Sequence, residues 1–224
     1  MKARKKRKFK KPYWLLLGLA VASVSLVLLL LYEPARYEPP DFAHSKEVSP
    51  YLTHELSPQF YNGAQRGEPF DLVVIQKGIN DIVARSKWPR EFDGISFSAP
   101  AVLFVPDSII LMGTVNIKGV EFVVTIVAEP GVDEQGLLNL RVAKVKVGAM
   151  NITILARVMA KTMYQQRLAT TPLNAQDLRA KIAGSLLNDE PFEPVFKVED
   201  KKVRVKKITI EQEKLTIHLT PASD

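Results

Sequence analysis

Apolar residues follow three patterns along this chain, and each pattern predicts a different kind of element. The first pattern is an uncharged run over 13–32, which is long enough to cross a hydrocarbon core of about 30 Å as a helix. The second is a helical spacing of apolar residues. It predicts helices over 76–85, 151–168 and 175–187.

The third pattern is alternation, with an apolar residue at every second position. It predicts a strand over 70–75, several strands from 95 to 147, and a closing hairpin over 202–219. The connections are short, and one of them, Pro130-Gly131, has Pro and Gly in the order that suits a type II turn. Short connections make the strands an antiparallel meander.

Two of these strands change the parity of their apolar face. The change falls near Ala143 in the strand that ends at Val147, and between Val205 and Ile208 in the closing hairpin. Such a slip sends the apolar side chains to the wrong face unless a β-bulge or a strong local twist absorbs it. We therefore predict an α+β fold in which a curved antiparallel sheet packs on helices, after an N-terminal transmembrane helix.

The flanks of the uncharged run predict its orientation. Residues 1–12 hold eight basic residues and no acidic one, and such a tail stays on the cytoplasmic side. The basic residues at the membrane surface are Lys2, Arg4, Lys5, Lys6, Arg7, Lys8, Lys10 and Lys11. A cleaved signal peptide is the rival interpretation, since Ala20-Val21-Ala22 matches a cleavage pattern. The apolar run continues to Leu31, which favours an uncleaved, single-pass anchor in the cell membrane.

The chain divides into four predicted parts: a basic tail over 1–12, a transmembrane helix over 13–32, a stalk over 33–67 and an extracytoplasmic domain over 68–224. Five prolines between residues 34 and 58 predict an extended stalk, because proline fixes φ and removes a hydrogen-bond donor. A short helix over 51–65 is the alternative for the end of the stalk.

Charge and cysteine content restrict the chemistry and the partners. The net charge is +7, but eight of the 31 basic residues lie in the tail, which leaves 23 against 24 acidic residues. The rest of the chain is therefore nearly neutral and gives no indication of a nucleic-acid partner. There is no cysteine, which excludes disulfides and thiolate chemistry.

No catalytic or metal-binding pattern is present in the sequence. The three histidines, His44, His54 and His218, have no second histidine at ligand spacing, and we interpret His218 as an exposed strand residue. The acidic cluster in 189–193 is typical of a solvated loop. We expect no enzymatic activity, no cofactor and no metal.

The remaining candidates for function are apolar. Methionine suits surfaces that accept varied apolar partners, although core packing is its commoner role. In a groove between the sheet and the helix over 152–168, methionines would both pack within the fold and contact an apolar partner. Its candidate lining residues are Met112, Phe122, Val124, Ile126, Leu155, Met159 and Met163.

The chain resembles the YpmS-like family of bacterial single-pass membrane proteins over about residues 68–220, in the stretches PFDLVVIQKGINDIV, EPGVDEQGLLNLRVAKVKVGAMNITILARVM and KKVRVKKITIEQEKLTIHLT. It departs from that family after Gly148, where Met150-Asn151 replaces a proline. The resemblance implies an outline similar to tubular lipid-binding modules, in which a curved sheet wraps a helix and shelters acyl chains. It implies no catalytic residue.

We therefore expect a non-enzymatic envelope protein whose outer domain binds a lipid or a lipid-linked precursor. The alternative is an anchored scaffold of an envelope or secretion complex, with a dry core and a protein partner at an edge strand or helix face. A hydrolase of envelope polymers would need convergent carboxylates, which the sequence does not show.

Overall fold

The structure is a computed structural model that describes residues 11–38, 47–92, 94–170 and 178–222. The basic tail up to Lys10, the side chain of Lys11 and the stalk residue His44 lie outside the described residues.

The first helix, α1 (Lys11–Leu30), is long and apolar enough to span a membrane, in agreement with the predicted span. Its side chains are exposed from Tyr13 to Leu29. The helix predicted over 51–65 is also present. A π-helical segment, Tyr51–Leu56, continues into α2 (Ser57–Arg66). Pro58 lies in the first turn of α2, directly after the π-helical segment.

Three further helices complete the helical part of the fold: α3 (Gln76–Ala84), α4 (Thr153–Thr170) and α5 (Leu178–Asn188). All three occur close to the predicted positions. The predicted start of α5, from residue 175 to residue 177, lies outside the described residues.

The described residues form eleven strands. Their bounds are β1 Phe70–Ile75, β2 Arg90–Phe92, β3 Ile95–Phe97, β4 Ala101–Val105, β5 Ser108–Ile117, β6 Val120–Val132, β7 Leu138–Val147, β8 Met150–Asn151, β9 Val195–Val198, β10 Lys201–Glu211 and β11 Lys214–Pro221. The four-stranded sheet has the order β1-β11-β10-β9, and the seven-stranded sheet has the order β2-β3-β5-β6-β7-β8 with β4 added to β5. Every pairing is antiparallel, so the chain is α+β with open antiparallel sheets.

The main core lies between the two sheets, because β10 packs against β4 and β6. Its buried members are Ala64, Leu72, Val74, Val102, Phe104, Val203, Val205, Ile210 and Leu219. Ala64 belongs to α2, which packs on β1 and β10. The second half of the predicted stalk is thus folded onto the domain.

Both predicted parity slips are β-bulges in the structure. The β6–β7 pairing shifts between Val127 and Ala128, opposite the step from Lys144 to Val142, which leaves Ala143 as the extra residue. The β10–β11 pairing shifts between Val205 and Lys207. Of the two alternatives for each slip, a bulge or a strong local twist, the structure shows a bulge in both strands. The sheet curvature that we inferred from them stays a prediction.

The turn predicted at Pro130-Gly131 is wrong, because β6 continues through both residues. Pro130 faces Leu140 of β7, and β5 ends its pairing at Ala128, so no neighbouring strand needs the missing N–H of Pro130. The chain turns at Asp133 instead, whose Oδ1 accepts hydrogen bonds from the N–H groups of Gln135 and Leu137 at 2.9 Å each.

Helix side chains cover the free edges of β1 and β4. Val102 of β4 forms two hydrogen bonds with the Asn80 side-chain amide of α3, N–H to Oδ1 at 2.7 Å and C=O from Nδ2 at 2.8 Å. The Phe104 N–H donates to Gln76 Oε1 at 2.7 Å. On β1, the Ile75 N–H donates to the Tyr51 hydroxyl at 3.0 Å. These bonds satisfy groups that an open edge would leave unpaired.

The free edge of β7 is covered in the same way by the segments that follow it. Ser185 of α5 accepts a hydrogen bond from the Leu140 N–H at 2.8 Å, and Arg157 of α4 donates one to the Val142 carbonyl at 2.9 Å. Thr153 Oγ1 accepts from the Val145 N–H at 2.9 Å. This edge is therefore closed to a partner strand.

The buried Ser49 connects the middle of the predicted stalk to α3. Its hydroxyl donates to Asp81 Oδ2, and Arg85 Nε donates to Asp81 Oδ1 at 2.8 Å. The Ser49 hydrogen bond and then the Arg85 hydrogen bond lower the pKa of Asp81 below its ordinary value.

A lowered pKa in the folded state means that ionised Asp81 stabilises the domain at neutral pH. That contribution is lost as the pH falls below about 4 and through the lowered pKa. We expect Asp81→Asn to reduce the free energy of unfolding at neutral pH and to reduce it less at about pH 3, where the wild type has begun to lose the same contribution. Urea unfolding of the full chain in detergent micelles at both pH values measures this. Asp200→Asn, at an exposed turn position, is the control. A loss that is independent of pH would contradict the expectation.

Candidate functional site

An apolar cleft of about 330 Å³ lies between the two sheets and is bordered by α2 and α5. Fourteen side chains line it, and all of them are apolar. They are Phe60, Leu72, Ile109, Pro130, Leu138, Leu140, Ile182, Phe192, Phe196, Val205, Ile208, Leu215, Ile217 and Leu219. The cleft is the strongest candidate for a functional site in the described part of the chain.

The bulge in β10 builds one wall of this cleft. In a regular strand Val205 and Ile208 would point to opposite faces, because their separation is odd. The register shift between Val205 and Lys207 turns both side chains into the cleft, beside Ile217 and Leu219 of β11. The parity slip seen in the sequence is therefore a feature of the site.

The opposite wall comes from β7 and α5, which are held together by one buried hydroxyl. Ser185 is completely buried, accepts a hydrogen bond from the Leu140 N–H and contacts Asn139 Oδ1 at 3.3 Å. This contact seats Ile182, which lies one helical turn before Ser185, over the cleft beside Leu140. Phe192 closes the end by pairing its backbone with Leu138 in both directions.

The seven residues predicted for a groove occupy three separate places. Three of them lie on one face of β6 and are half-buried: Phe122, Val124 and Ile126. Their paired residues on β5 are Val115, Gly113 and Leu111. Met112 is buried on the opposite face of the sheet, with Tyr37 and Ala101.

The three helix members of that set belong to α4. Leu155 and Met159 are exposed by 57% and 55%, and the side chain of Met163 lies outside the described residues. Leu155 lines a separate hollow along 151–158. The structure thus brings together the three β6 residues but does not bring them together with Met112, Leu155 and Met159. A lipid contact at these positions stays a prediction.

A hydroxyl–imidazole–carboxylate chain crosses the exposed face of the four-stranded sheet. His218 Nδ1 lies 2.7 Å from Asp71 Oδ1, and His218 Nε2 lies 3.1 Å from Thr209 Oγ1. Hydrolases that use this connectivity bury the carboxylate, whereas the Asp71 side chain is 57% exposed. The arrangement is better explained as a link across three neighbouring strands, and His218 is a half-exposed strand residue as predicted.

Acidic residues near α5 are paired within the surface. Glu193 forms an ion pair with Arg204, and Asn188 Nδ2 donates to Glu190. Among the residues that the structure describes, no group of three or more His, Asp or Glu side chains is placed to hold a metal ion.

No family model, curated protein or solved structure matches this chain. The resemblance to the YpmS-like family therefore stays an expectation, and function has to be inferred from the geometry.

Sequence patterns predicted most strands of the cleft, but they missed β9, which supplies Phe196, and they did not predict the cleft itself. The apolar face of Leu215, Ile217 and Leu219 is visible in the sequence. Its position opposite Leu138 and Leu140 depends on how the two sheets stack. The sequence of a single strand does not determine that stacking. The parity slip at Lys206 was the only local signal that pointed to this region.

Proposed function

We propose that this protein is a single-pass membrane protein of the cell envelope whose extracytoplasmic domain binds a lipid acyl chain, without catalysing a reaction. The observation that supports this is the lining of the cleft, in which all fourteen side chains are apolar. An apolar cavity of this kind is a poor site for water and a good one for hydrocarbon. The N-terminus is cytoplasmic in this proposal, because the basic tail precedes α1.

The chemistry of the walls favours an acyl chain over a headgroup. Each buried methylene group contributes about 0.8 kcal/mol, whereas a polar group buried without a hydrogen bond costs about 2–7 kcal/mol. At about 330 Å³ the cleft is near the lower end of the range for ligand sites. It therefore suits one chain, with the headgroup left at the mouth.

An anchored scaffold is the second candidate, and the edge of β9 supports it. In the described part of the chain β9 pairs with β10 alone, while helix side chains cover the edges of β1, β4 and β7. A partner strand could pair with the open side of β9. Filling the cleft would leave this second function intact, so the two candidates are separable.

Photo-crosslinking of the full chain tests the proposal. The chain is reconstituted in vesicles that contain a phospholipid with a photoactivatable group on its acyl chain, and crosslinked residues are mapped by mass spectrometry. We expect crosslinks in β7, α5, β10 and β11 in addition to those in α1. Crosslinks confined to α1 and its surroundings would overturn the proposal.

Leu140→Trp fills the cleft and is expected to reduce the crosslinks there by about tenfold, equivalent to about 1.4 kcal/mol of binding free energy. The α1 crosslinks serve as an internal standard. Ile117→Trp is the matched control, because Ile117 is 40% exposed at the end of β5. Ile182→Glu is the second variant, since a charge facing the cleft opposes an acyl chain without adding bulk to a strand. Unchanged crosslinking in both variants would contradict the assignment.

A further inference from the structure

A stripe of large apolar side chains on α4 has no partner within the described part of the protein. Ile154, Leu155, Val158 and Met159 are exposed by 82%, 57%, 61% and 55%. At 3.6 residues per turn these four side chains occupy an arc of about 140° on the helix. The other side of α4 packs on α5 and β7, so the stripe points away from the domain.

The turn between β7 and β8 joins this helix to the end of α1. The Ala149 N–H donates a hydrogen bond to the Leu29 carbonyl at 2.8 Å, which satisfies one of the carbonyls that a helix end leaves free. Gly148 is buried in the same contact, and a Cβ at this position would lie 2.3 Å from the Leu29 oxygen. The contact therefore requires glycine, whose φ of 56° also lies in the left-handed region.

This contact places the start of α4 close to the end of α1. Thr153, the first residue of α4, follows Ala149 by four residues, a distance of at most about 14 Å along an extended chain. The real separation is shorter, because the Ile152 N–H donates back to the Val145 carbonyl at 2.9 Å. If α1 spans the bilayer, its end lies at the outer interface, and the first turns of α4 lie at the level of the headgroups.

The charges on α4 fit an anionic lipid surface. The helix contains no acidic residue, and Lys161 is exposed at the margin of the stripe. Helices that lie in a membrane interface combine an apolar face with lysine and arginine beside it. The Leu29–Ala149 contact places the end of α1, whose side chains are apolar and exposed, next to the turn that precedes α4.

We propose that the exposed stripe of α4 inserts into the outer leaflet beside α1 and holds the domain against the membrane. The occupant of this surface is the lipid bilayer itself. The proposal rests on α1 spanning the membrane and does not depend on an acyl chain in the cleft.

Depth-dependent fluorescence quenching tests this on the full chain. The chain has no cysteine, so Val158→Cys gives a unique site for an environment-sensitive fluorophore. The labelled protein is reconstituted in vesicles of equal parts phosphatidylethanolamine and phosphatidylglycerol, with lipids brominated on the acyl chain as quenchers. The control is Gln135→Cys, since Gln135 is exposed in the turn after Val132, at the end of β6 opposite to the Val123–Gly148 contact.

We expect quenching at position 158 to exceed quenching at position 135 by about fivefold, because an interfacial helix buries its apolar face among the upper acyl segments. Leu155→Glu in the labelled chain should reduce that quenching by about threefold, since the charge opposes insertion. Leu155 is exposed, so this variant keeps its fold. Gly148→Val should have a similar effect by separating the turn from Leu29.

Equal quenching at both positions, or quenching that Leu155→Glu leaves unchanged, would overturn the proposal. A fluorescence change that depends on protein density, without quenching by brominated lipid, would assign the stripe to a second copy of the chain and overturn it as well. Leu140→Trp, which fills the cleft, should leave quenching at position 158 intact. Failure of the acyl-chain proposal is therefore distinguishable from failure of this one.

Discussion

Replacing Asn80 with leucine is expected to lower the free energy of unfolding by about 4 kcal/mol, although the two side chains are similar in size. The change leaves the N–H and C=O of Val102 without partners at a residue that is 5% exposed. Each unsatisfied buried group costs about 1–3 kcal/mol. A typical domain is stable by about 5–15 kcal/mol, so the loss is a large part of the total.

Urea unfolding of the full chain in detergent micelles measures this loss, and amide hydrogen exchange locates it. The Val102 amide should exchange faster than in the wild type, because local opening of the β4 edge no longer breaks a hydrogen bond. Asn62→Leu is the matched control, since Asn62 is exposed on α2 and its change should stay within about 0.5 kcal/mol. Similar losses in the two variants would show that the edge contact contributes little.

Helix geometry explains why Gln76 and Asn80 can serve one strand together. Four residues of helix advance about 6 Å, and two residues of strand advance about 6.8 Å. Side chains four apart on α3 therefore match Phe104 and Val102, whose free N–H groups recur every second residue. The spacing Gln-x-x-x-Asn on α3 therefore matches the spacing of the free N–H groups along the edge of β4.

The same arrangement protects the edge of β7, although the side chains there come from both α4 and α5. The Ser185 hydroxyl accepts a hydrogen bond from the Leu140 N–H, and Arg157 donates one to the Val142 carbonyl, two residues further along β7. After the bulge, the Thr153 hydroxyl accepts one from the Val145 N–H. The Ser185 contact also holds α5 against β7, where Ile182 lines the cleft. One of the contacts that protect the edge thus also helps to form a wall of the cleft.

Local sequence patterns predicted the elements well where one face is clearly apolar. The period of two gives β5 and β6, the helical spacing gives α3, and the slip near Ala143 gives a bulge. These features depend on side chains that are neighbours in sequence. A short-range pattern is sufficient to identify them.

The pattern failed where partners distant in sequence decide the outcome. Pro130-Gly131 has the composition of a turn, but β6 can continue because β5 does not extend alongside Pro130 and no strand on that side needs its N–H. The spacing that placed Leu155 and Met159 on an apolar face was correct, yet nothing local indicated that this face is uncovered. The positions of α4 and of the cleft follow from backbone contacts of Ala149 and Leu140, which a residue's own sequence neighbours do not reveal.

Gly78 provides the second large effect, and here two physical effects have opposite signs. Glycine inside α3 is unfavourable by about 1 kcal/mol relative to alanine, so helix propensity alone predicts that Gly78→Ala stabilises the protein. However, the added Cβ would lie 2.3 Å from the ring of Tyr51, which is 8% exposed. Displacing the ring also breaks its hydrogen bond with the Ile75 N–H. We expect a net loss of about 3 kcal/mol, because overpacking and the lost bond exceed the propensity gain.

A double-mutant cycle decides which effect dominates. In a Tyr51→Ala background the obstruction is absent, so Gly78→Ala should become stabilising by about 1 kcal/mol. The coupling between the two positions would then be about 4 kcal/mol, measured by urea unfolding of the four chains. Gly131→Ala is the control, since nothing lies within 4 Å of a Cβ there. If Gly78→Ala destabilises both backgrounds equally, Tyr51 is not the cause, and the glycine is required by the path of α3 itself.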